Sequence, residues 1–561
     1  MKRRSSCALL LVAAAAASVF TSSEPLRATH GMVVSQQAAA SAIGVDVLKA
    51  GGTAVDAAVA TAFALAVVYP TAGNIGGGGF LVFRPAAGEP VAYDFREMAP
   101  AAATPTMFLT DGKYDPIKHH DSHLSVGVPG TVAGLHLAWR EHGKLPWKRL
   151  VEPAVALARK GFPISDTFAS SLARVLPSMK AYPASVAQFS KQGVPYEPGD
   201  VFAQPDLART LGRIAERGPA GFYEGETALL IEREMAANGG LITRADLKAY
   251  RPERRTPLRG TYRNAEIISM PPISSGGTAL IQMLNVLEGY DLAANGWGSA
   301  ENTHLTIEAM RRAYADRARY LGDPAFNPEM PIARLTSKEY AASLRATIRR
   351  DRASASSPAS FEWPPESDHT THLSVVDAGR NAVAMTYTLE AGYGSKIVVA
   401  GAGFLLNNEM GDFNAGPGLT DATGLVGTAP NLAAPGKRML SSMTPTIVAR
   451  DGKLLMVTGA EGGRTIISTV LHTILNVLDH GMNAQEAVDA ARFYHQWLPD
   501  TVNHERNGLS PDTLAILKGR GHAFRAIERQ GSAEVVVVDP RSGKLAGGDD
   551  RRNAGGGAAG Y

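Results

Sequence analysis

The sequence predicts an α+β protein, helix-rich in its first half and strand-rich in its second. Three observations carry this. Residues 130 to 350 follow a mostly helical pattern, as in "ENTHLTIEAMRRAYADRARYL". Strand-length alternating or apolar runs, "THLSVVD", "NAVAMTYTL", "KLLMVTG" and "EVVVVDP", cluster after residue 370. No solenoid-type internal repeat offers another architecture. At 561 residues, 45% hydrophobic and 19% charged, the chain can bury a large core, and length alone suggests about three or four domains.

The first residues, 1–23, read as a secretory signal, with Lys2, Arg3 and Arg4 ahead of an apolar run from Cys7 to about Ala17. That run is shorter than the ~18 residues of a spanning helix, so cleavage is expected and no stable membrane anchor. The mature protein is then exported, periplasmic or extracellular according to the host envelope. Its only cysteine, Cys7, leaves with the signal, as do three basic residues, leaving 53 basic against 53 acidic. Stability must come from the core without disulfides. Charge balance also excludes a dedicated nucleic-acid binder, which would carry a basic excess.

Next, "QQAAASAIGVDVLKAGGTAVDAAVATAFALAVVYP" gives a helix to about Lys49, a break at Ala50-Gly51-Gly52 and a nearly all-apolar second helix ending before Pro70. Asp56 is expected to interrupt that second helix, leaving Ala57 to Val68 as a buried core helix. "NIGGGGFLVFRP" and "PVAYDFREM" read as paired strands. Ser, Pro and Ala crowd residues 351 to 369 without periodicity, so an exposed flexible connector is expected. "THLSVVD" and "NAVAMTYTL", joined through "AGR", read as a hairpin, and "RTIISTVLHTILNVLDHG" as an amphipathic helix.

The connector meets the first of these strands at "SDHTTHLSVVD". By itself His-Thr-Thr-His is an ordinary turn into a strand. A threonine hydroxyl is a weak nucleophile that needs a base, and one solution is the threonine's own free α-amine. That amine has a pKa of about 7.7 to 8.0, against roughly 10.4 for lysine. It becomes available to Thr370 only if the bond from His369 is cut. Oxyanion donors are offered by Gly462 and Gly463 in "TGAEGGRT", whose N–H groups follow a strand unobstructed; alone, such a junction is usually a turn.

The stretches "TTHLSVVD", "NAVAMTYTLE", "GYG", "LLNNEMGDF", "GKRMLSSMTPTIV", "VTGAEGG" and "RFYHQWLPD" resemble γ-glutamyltranspeptidase, as do "GGTAVDAAVATAFALAVVYP", "NIGGGGF", "DFREMAP", "PPISSGG" and "EAMRRAYADRARYLGDP" in the first half. The resemblance implies an N-terminal nucleophile hydrolase: a four-layer αββα sandwich built from two chains, large 24–369 and small 370–561, that self-cleavage produces and that stay together as a heterodimer. It matches Thr370 to the nucleophile, Thr388 to its supporting hydroxyl, and Gly462 and Gly463 to the oxyanion hole. Arg96, Ser441 and Ser442 match the groups that hold the α-carboxylate of a γ-glutamyl donor; Glu390, Glu409 and Asp412 match those that receive its α-ammonium. Without the resemblance, Arg96 beside Glu97 reads as a surface ion pair.

The implied reaction passes the γ-glutamyl group of glutathione or a related compound through a threonyl ester to water or to an amino acid or peptide, with no cofactor. A glutaryl acylase of the cephalosporin type and an inactive secreted γ-glutamyl-binding protein are the competing readings. Glu390 and Glu409 stand where Asn and Gln are often found, and Arg380 where Gly is usual in the "DAGRN" turn. Residues 416 to 431 have the length of a substrate-covering loop, with Thr423 where an aromatic gate often sits. His119, His120 and His123 in "KHHDSH" lack a matched distant ligand, so no metal is expected. "NIGGGGF" lacks the Lys-Ser/Thr of a phosphate loop and is expected to serve close backbone packing.

Overall fold

The computed structural model describes residues 23–356, 369–419 and 428–561. Most of the expected signal, residues 357–368 of the connector and the loop position Thr423 lie outside the described residues.

Two seven-stranded antiparallel sheets dominate. Across the first, the order is Gly557–Gly560, Met32–Ser35, Thr371–Val376, Ala382–Thr388, Gly78–Arg84, Val91–Phe95 and Glu253–Arg255. Across the second it is Leu26–Ala28, Leu545–Asp549, Ser532–Val538, Lys453–Glu461, Thr446–Arg450, Ala265–Ser269 and Leu258–Tyr262. Both expected pairings are present: Thr371 lies opposite Tyr387 in the hairpin, and Gly79 opposite Phe95.

Strand alternation divides the first sheet between two cores. Leu81, Phe83, Leu373, Val375, Val383 and Met385 face the helices Ala38–Lys49, Ala54–Val68, Thr131–His142 and Trp147–Lys160. Phe80, Val82, Val376, Ala382 and Ala384 join the core shared with the second sheet, whose other face is covered by Gly276–Leu287, Ala300–Tyr320 and Thr465–Leu478. The layers therefore run helix, sheet, sheet, helix, and the three or four domains suggested by length are one layered body.

The helix Ala54–Val68 is apolar on every side and buried along its whole length. Asp56 does not interrupt it. Thr53 and Asp56 form a capping box, and the Asp56 carboxylate also accepts from the N–H groups of Lys144 and Leu145, so the helix begins earlier than expected. The "NIGGGGF" glycines do serve close packing. A Cβ on Gly77 would lie 2.0 Å from the Thr388 carbonyl oxygen, and one on Gly76 2.2 Å from that of Leu405. Arg380 occupies the left-handed region at φ +66°, where glycine is favoured. Its guanidinium donates to the Gly543 carbonyl at 2.7 Å, tying the turn to the C-terminal segment.

Candidate active site

Thr370 sits at the head of the Thr371–Val376 strand and is 4% exposed. The carbonyl of the preceding residue, His369, accepts a 2.7 Å hydrogen bond from Thr388 Oγ1. The Glu390 N–H donates to that same hydroxyl oxygen at 3.0 Å, which leaves the Thr388 hydrogen for the carbonyl. The carbonyl of the His369–Thr370 bond is thus polarised by a hydroxyl whose orientation is fixed. Burial, and after it Arg529, pulls the His369 imidazole down to about 4, so it is neutral near neutral pH.

One face of this strand points into the gap between the sheets. His372 Nδ1 meets Thr386 Oγ1 at 2.7 Å and its Nε2 meets Ser374 Oγ at 3.1 Å, while Ser374 donates to the Glu534 carbonyl at 3.0 Å. The ring lies over Gly459 of the facing sheet, where a Cβ would come within 2.2 Å of it. Three residues on, Gly462 and Gly463 take φ values of +123° and +55° and lead into the helix Thr465–Leu478. The Tyr69–Asn74 loop spans this junction and the Thr388 strand. Tyr69 donates to Glu461 Oε2 at 3.2 Å, and Asn74 to the Thr388 carbonyl at 2.8 Å. Burial, and then Glu461, pushes the Tyr69 hydroxyl well above its ordinary pKa.

Arg96 ends the strand Val91–Phe95 and is fully buried, as is Glu97, so they are not a surface pair. Its guanidinium binds the carboxylates of both Glu409 and Asp412, and donates to the carbonyls of Met439 and Leu440, each at 3.3 Å. Groups matched to opposite ends of a zwitterion are therefore in direct contact with each other. Burial opposes the Arg96 charge, but Glu409 and Asp412 outweigh it and keep the guanidinium ionised. Burial also lifts the Glu409 carboxyl well above its ordinary range.

The contacts to Met439 and Leu440 bring Arg96 to the segment carrying Ser441 and Ser442. Asn431 fastens the two sides, donating to the Asp412 carbonyl at 2.6 Å and accepting from the Leu440 N–H at 2.9 Å. Glu390 has φ +78°, and His120 Nδ1 lies 3.9 Å from its carboxylate. Asn408 joins Glu390 to Glu409: its N–H donates to Leu389 and its side chain accepts from Ala391, each at 3.0 Å.

The arrangement offers a polarised carbonyl beside a threonine, a buried guanidinium bound to the segment that carries two serines, and carboxylates beside that guanidinium. Sequence reasoning missed Tyr69, Asn74, Glu97, His120 and Asn431. Glu97 stood next to Arg96, and His120 lay inside the histidine cluster examined only for metal. In that cluster His119 packs against Phe108, and His123 meets Glu234 at 3.1 Å. Among the described residues, His304, Glu308 and His522 alone have metal-ligand spacing. There Arg311, Arg312 and Ser354 already engage Glu308, and His304 and His522 bond to each other at 2.7 Å. Two guanidinium charges oppose a cation, and the trio reads as a fastening between the helix Ala300–Tyr320 and its neighbours.

A helix–sheet–sheet–helix sandwich of this kind is the fold of the N-terminal nucleophile hydrolases. Residues 40–560 match the model of the Gamma-glutamyltranspeptidase family, and the chain belongs to that family. It is 49% identical over 545 residues to a "Glutathione hydrolase proenzyme" of Escherichia coli (strain K12), covering 96% of this chain and 93% of that protein. Among solved structures it is similar to a cephalosporin acylase from Bacillus halodurans, with a TM-score of 0.84, 27% identity, and 96% and 97% of the two chains covered. It is also similar to Helicobacter pylori gamma-Glutamyltranspeptidase, with a TM-score of 0.56, 48% identity, and 56% of this chain and 91% of that one covered.

Proposed function

We propose that this chain is an exported, self-processing γ-glutamyl hydrolase and transferase with Thr370 as nucleophile. The observation that carries the reading is the Thr388 hydroxyl held 2.7 Å from the His369 carbonyl oxygen. In processing, Thr370 Oγ1 attacks that carbonyl, the C–N bond breaks, and the acyl group moves to Oγ1 as an ester. Water then releases the His369 carboxylate and leaves Thr370 with a free hydroxyl and a free α-amine.

In turnover the α-amine takes the Thr370 hydroxyl proton as Oγ1 attacks the γ-carbonyl. The oxyanion rests on the N–H groups of Gly462 and Gly463, and the leaving amine departs with the proton. The γ-glutamyl ester is then resolved by water, giving glutamate, or by the amine of an amino acid or peptide. Glutathione and related γ-glutamyl compounds are the donors proposed, on the strength of the family and of its glutathione hydrolase relatives.

Charge supports a donor with both α-groups free. Its carboxylate, taking Arg96, separates that guanidinium from Glu409 and Asp412, and its ammonium gives those acids a new cation with help from Glu390. A glutaryl chain would take Arg96 and return no cation to the acids around it, so the γ-glutamyl donor is the better charge match. Export follows from the basic and apolar first residues, and none of the described helices is long and apolar enough to cross a membrane.

Intact mass and N-terminal sequencing of the wild type beside Thr370→Ala and Thr388→Val test the reading. The wild type should yield a chain beginning Thr-Thr-His-Leu-Ser and cleave a γ-glutamyl anilide in preference to a glutaryl one. Thr370→Ala should stay whole. Thr388→Val should process roughly 10²–10³-fold more slowly, the cost of losing one oxyanion donor. A Thr370→Ala protein that still splits at this bond would sink the assignment of the nucleophile.

A further inference from the structure

A second arginine stands behind the serines. Arg317, on the helix Ala300–Tyr320, is 1% exposed. Its Nε donates to Ser275 Oγ at 2.6 Å and a terminal nitrogen donates to Ser442 Oγ at 2.8 Å. Ser275 in turn donates to the Ser441 carbonyl through both its N–H, at 2.8 Å, and its hydroxyl, at 2.6 Å. One guanidinium thus grips both serines, Ser442 directly and Ser441 through Ser275.

A guanidinium can only donate hydrogen bonds. Ser442 Oγ therefore commits a lone pair to Arg317, and its own hydrogen is directed away from that cation. A buried charge on the oxygen side also polarises the hydroxyl and makes it a better donor to an anion. We propose that Arg317 is a positioning residue for the α-carboxylate of the donor. It fixes Ser442 as a hydrogen-bond donor, holds the Ser441 backbone through Ser275, and places positive charge behind the serines while Arg96 engages the carboxylate directly.

The proposal depends on the reading of Ser441 and Ser442 as carboxylate ligands, and the rival role is purely structural: fastening the helix to the segment that carries them. Steady-state kinetics of the processed enzyme on a γ-glutamyl anilide separate the two, with Arg317→Gln, Ser442→Ala and the double variant compared with wild type. Arg317→Gln should raise KM about 10- to 100-fold, as expected for losing hydrogen bonds to a charged group, with kcat within about threefold. In the Ser442→Ala background the same change should raise KM by less than half that factor on a logarithmic scale, because the shared arm is already gone.

An unchanged KM, or effects that multiply fully in the double variant, would overturn the proposal. Should Arg317→Gln fail to process, Arg317→Lys and Ser275→Ala take its place. Each should raise KM more than it lowers kcat, and a fall in kcat alone overturns the proposal. A wild type inert on γ-glutamyl anilide defeats the underlying reading, a different result from any of these.

Discussion

Glu97 lies fully buried beneath Gly78 and Gly127, beside the Arg96 guanidinium and the Glu409 carboxyl. Burial raises its carboxyl from the usual range to about 8, against the pull of Arg96, whose guanidinium lies 3.9 Å away. A raised folded-state pKa means that the native protein keeps a proton the unfolded chain has lost, so stability declines as pH rises from about 4.5 towards 8. Glu97→Gln removes the titration. In the Thr370→Ala background, the fall in thermal midpoint between pH 5 and pH 8 should be smaller for the Gln variant. Equal falls would show that Glu97 is ionised throughout. None of this was legible in "DFREM", because burial depends on strands remote in sequence. Arg96 meets Glu409 across 313 residues and Asp412 across 316, and no local pattern encodes such a pairing. Thr388 was named only through resemblance, since a strand threonine by itself announces nothing.

Elements were more readable than contacts. Period-two alternation located the hairpin Thr371–Val376 and Ala382–Thr388, and an apolar run between turn signals located Lys453–Glu461. The helix Ala54–Val68 was found from its apolar run, but its start was misplaced: a capping-box aspartate looks like an interruption until Thr53 is seen three residues before it. Pairing between sheets was not legible, because the His372 ring over Gly459 joins positions with no shared periodicity. That contact makes Gly459→Ala a sharp test. The added methyl would sit 2.2 Å from a ring held by Thr386 and Ser374, so the strand headed by Thr370 must yield. We expect a loss of about 1–3 kcal/mol from overpacking, read by chemical denaturation, together with slower processing. Unchanged stability would mean that the two sheets separate there at no cost.

At the scale of the molecule, the first sheet mixes the two proposed chains. Gly557–Gly560, Thr371–Val376 and Ala382–Thr388 lie after the proposed cut at His369–Thr370; Met32–Ser35, Gly78–Arg84, Val91–Phe95 and Glu253–Arg255 lie before it. Met32–Ser35 is flanked on both sides by strands of the other chain. The second sheet is mixed as well. Neither chain holds a complete sheet, so the two should elute as one species without denaturant. Their unfolding should also depend on concentration, since association and folding are then the same event. The apparent midpoint of the processed enzyme should fall on dilution, and that of uncleaved Thr370→Ala should not.

The strand order makes maturation a one-way step. Before the cut, a chain that unfolds keeps both halves of every sheet on one string and can search for its pairings alone. Afterwards, the same unfolding releases two fragments that must find each other again from dilution. The covalent bond that is lost in making the nucleophile is also the protein's memory of how to assemble, and the lifetime of the processed protein then depends on how slowly the interleaved strands let go.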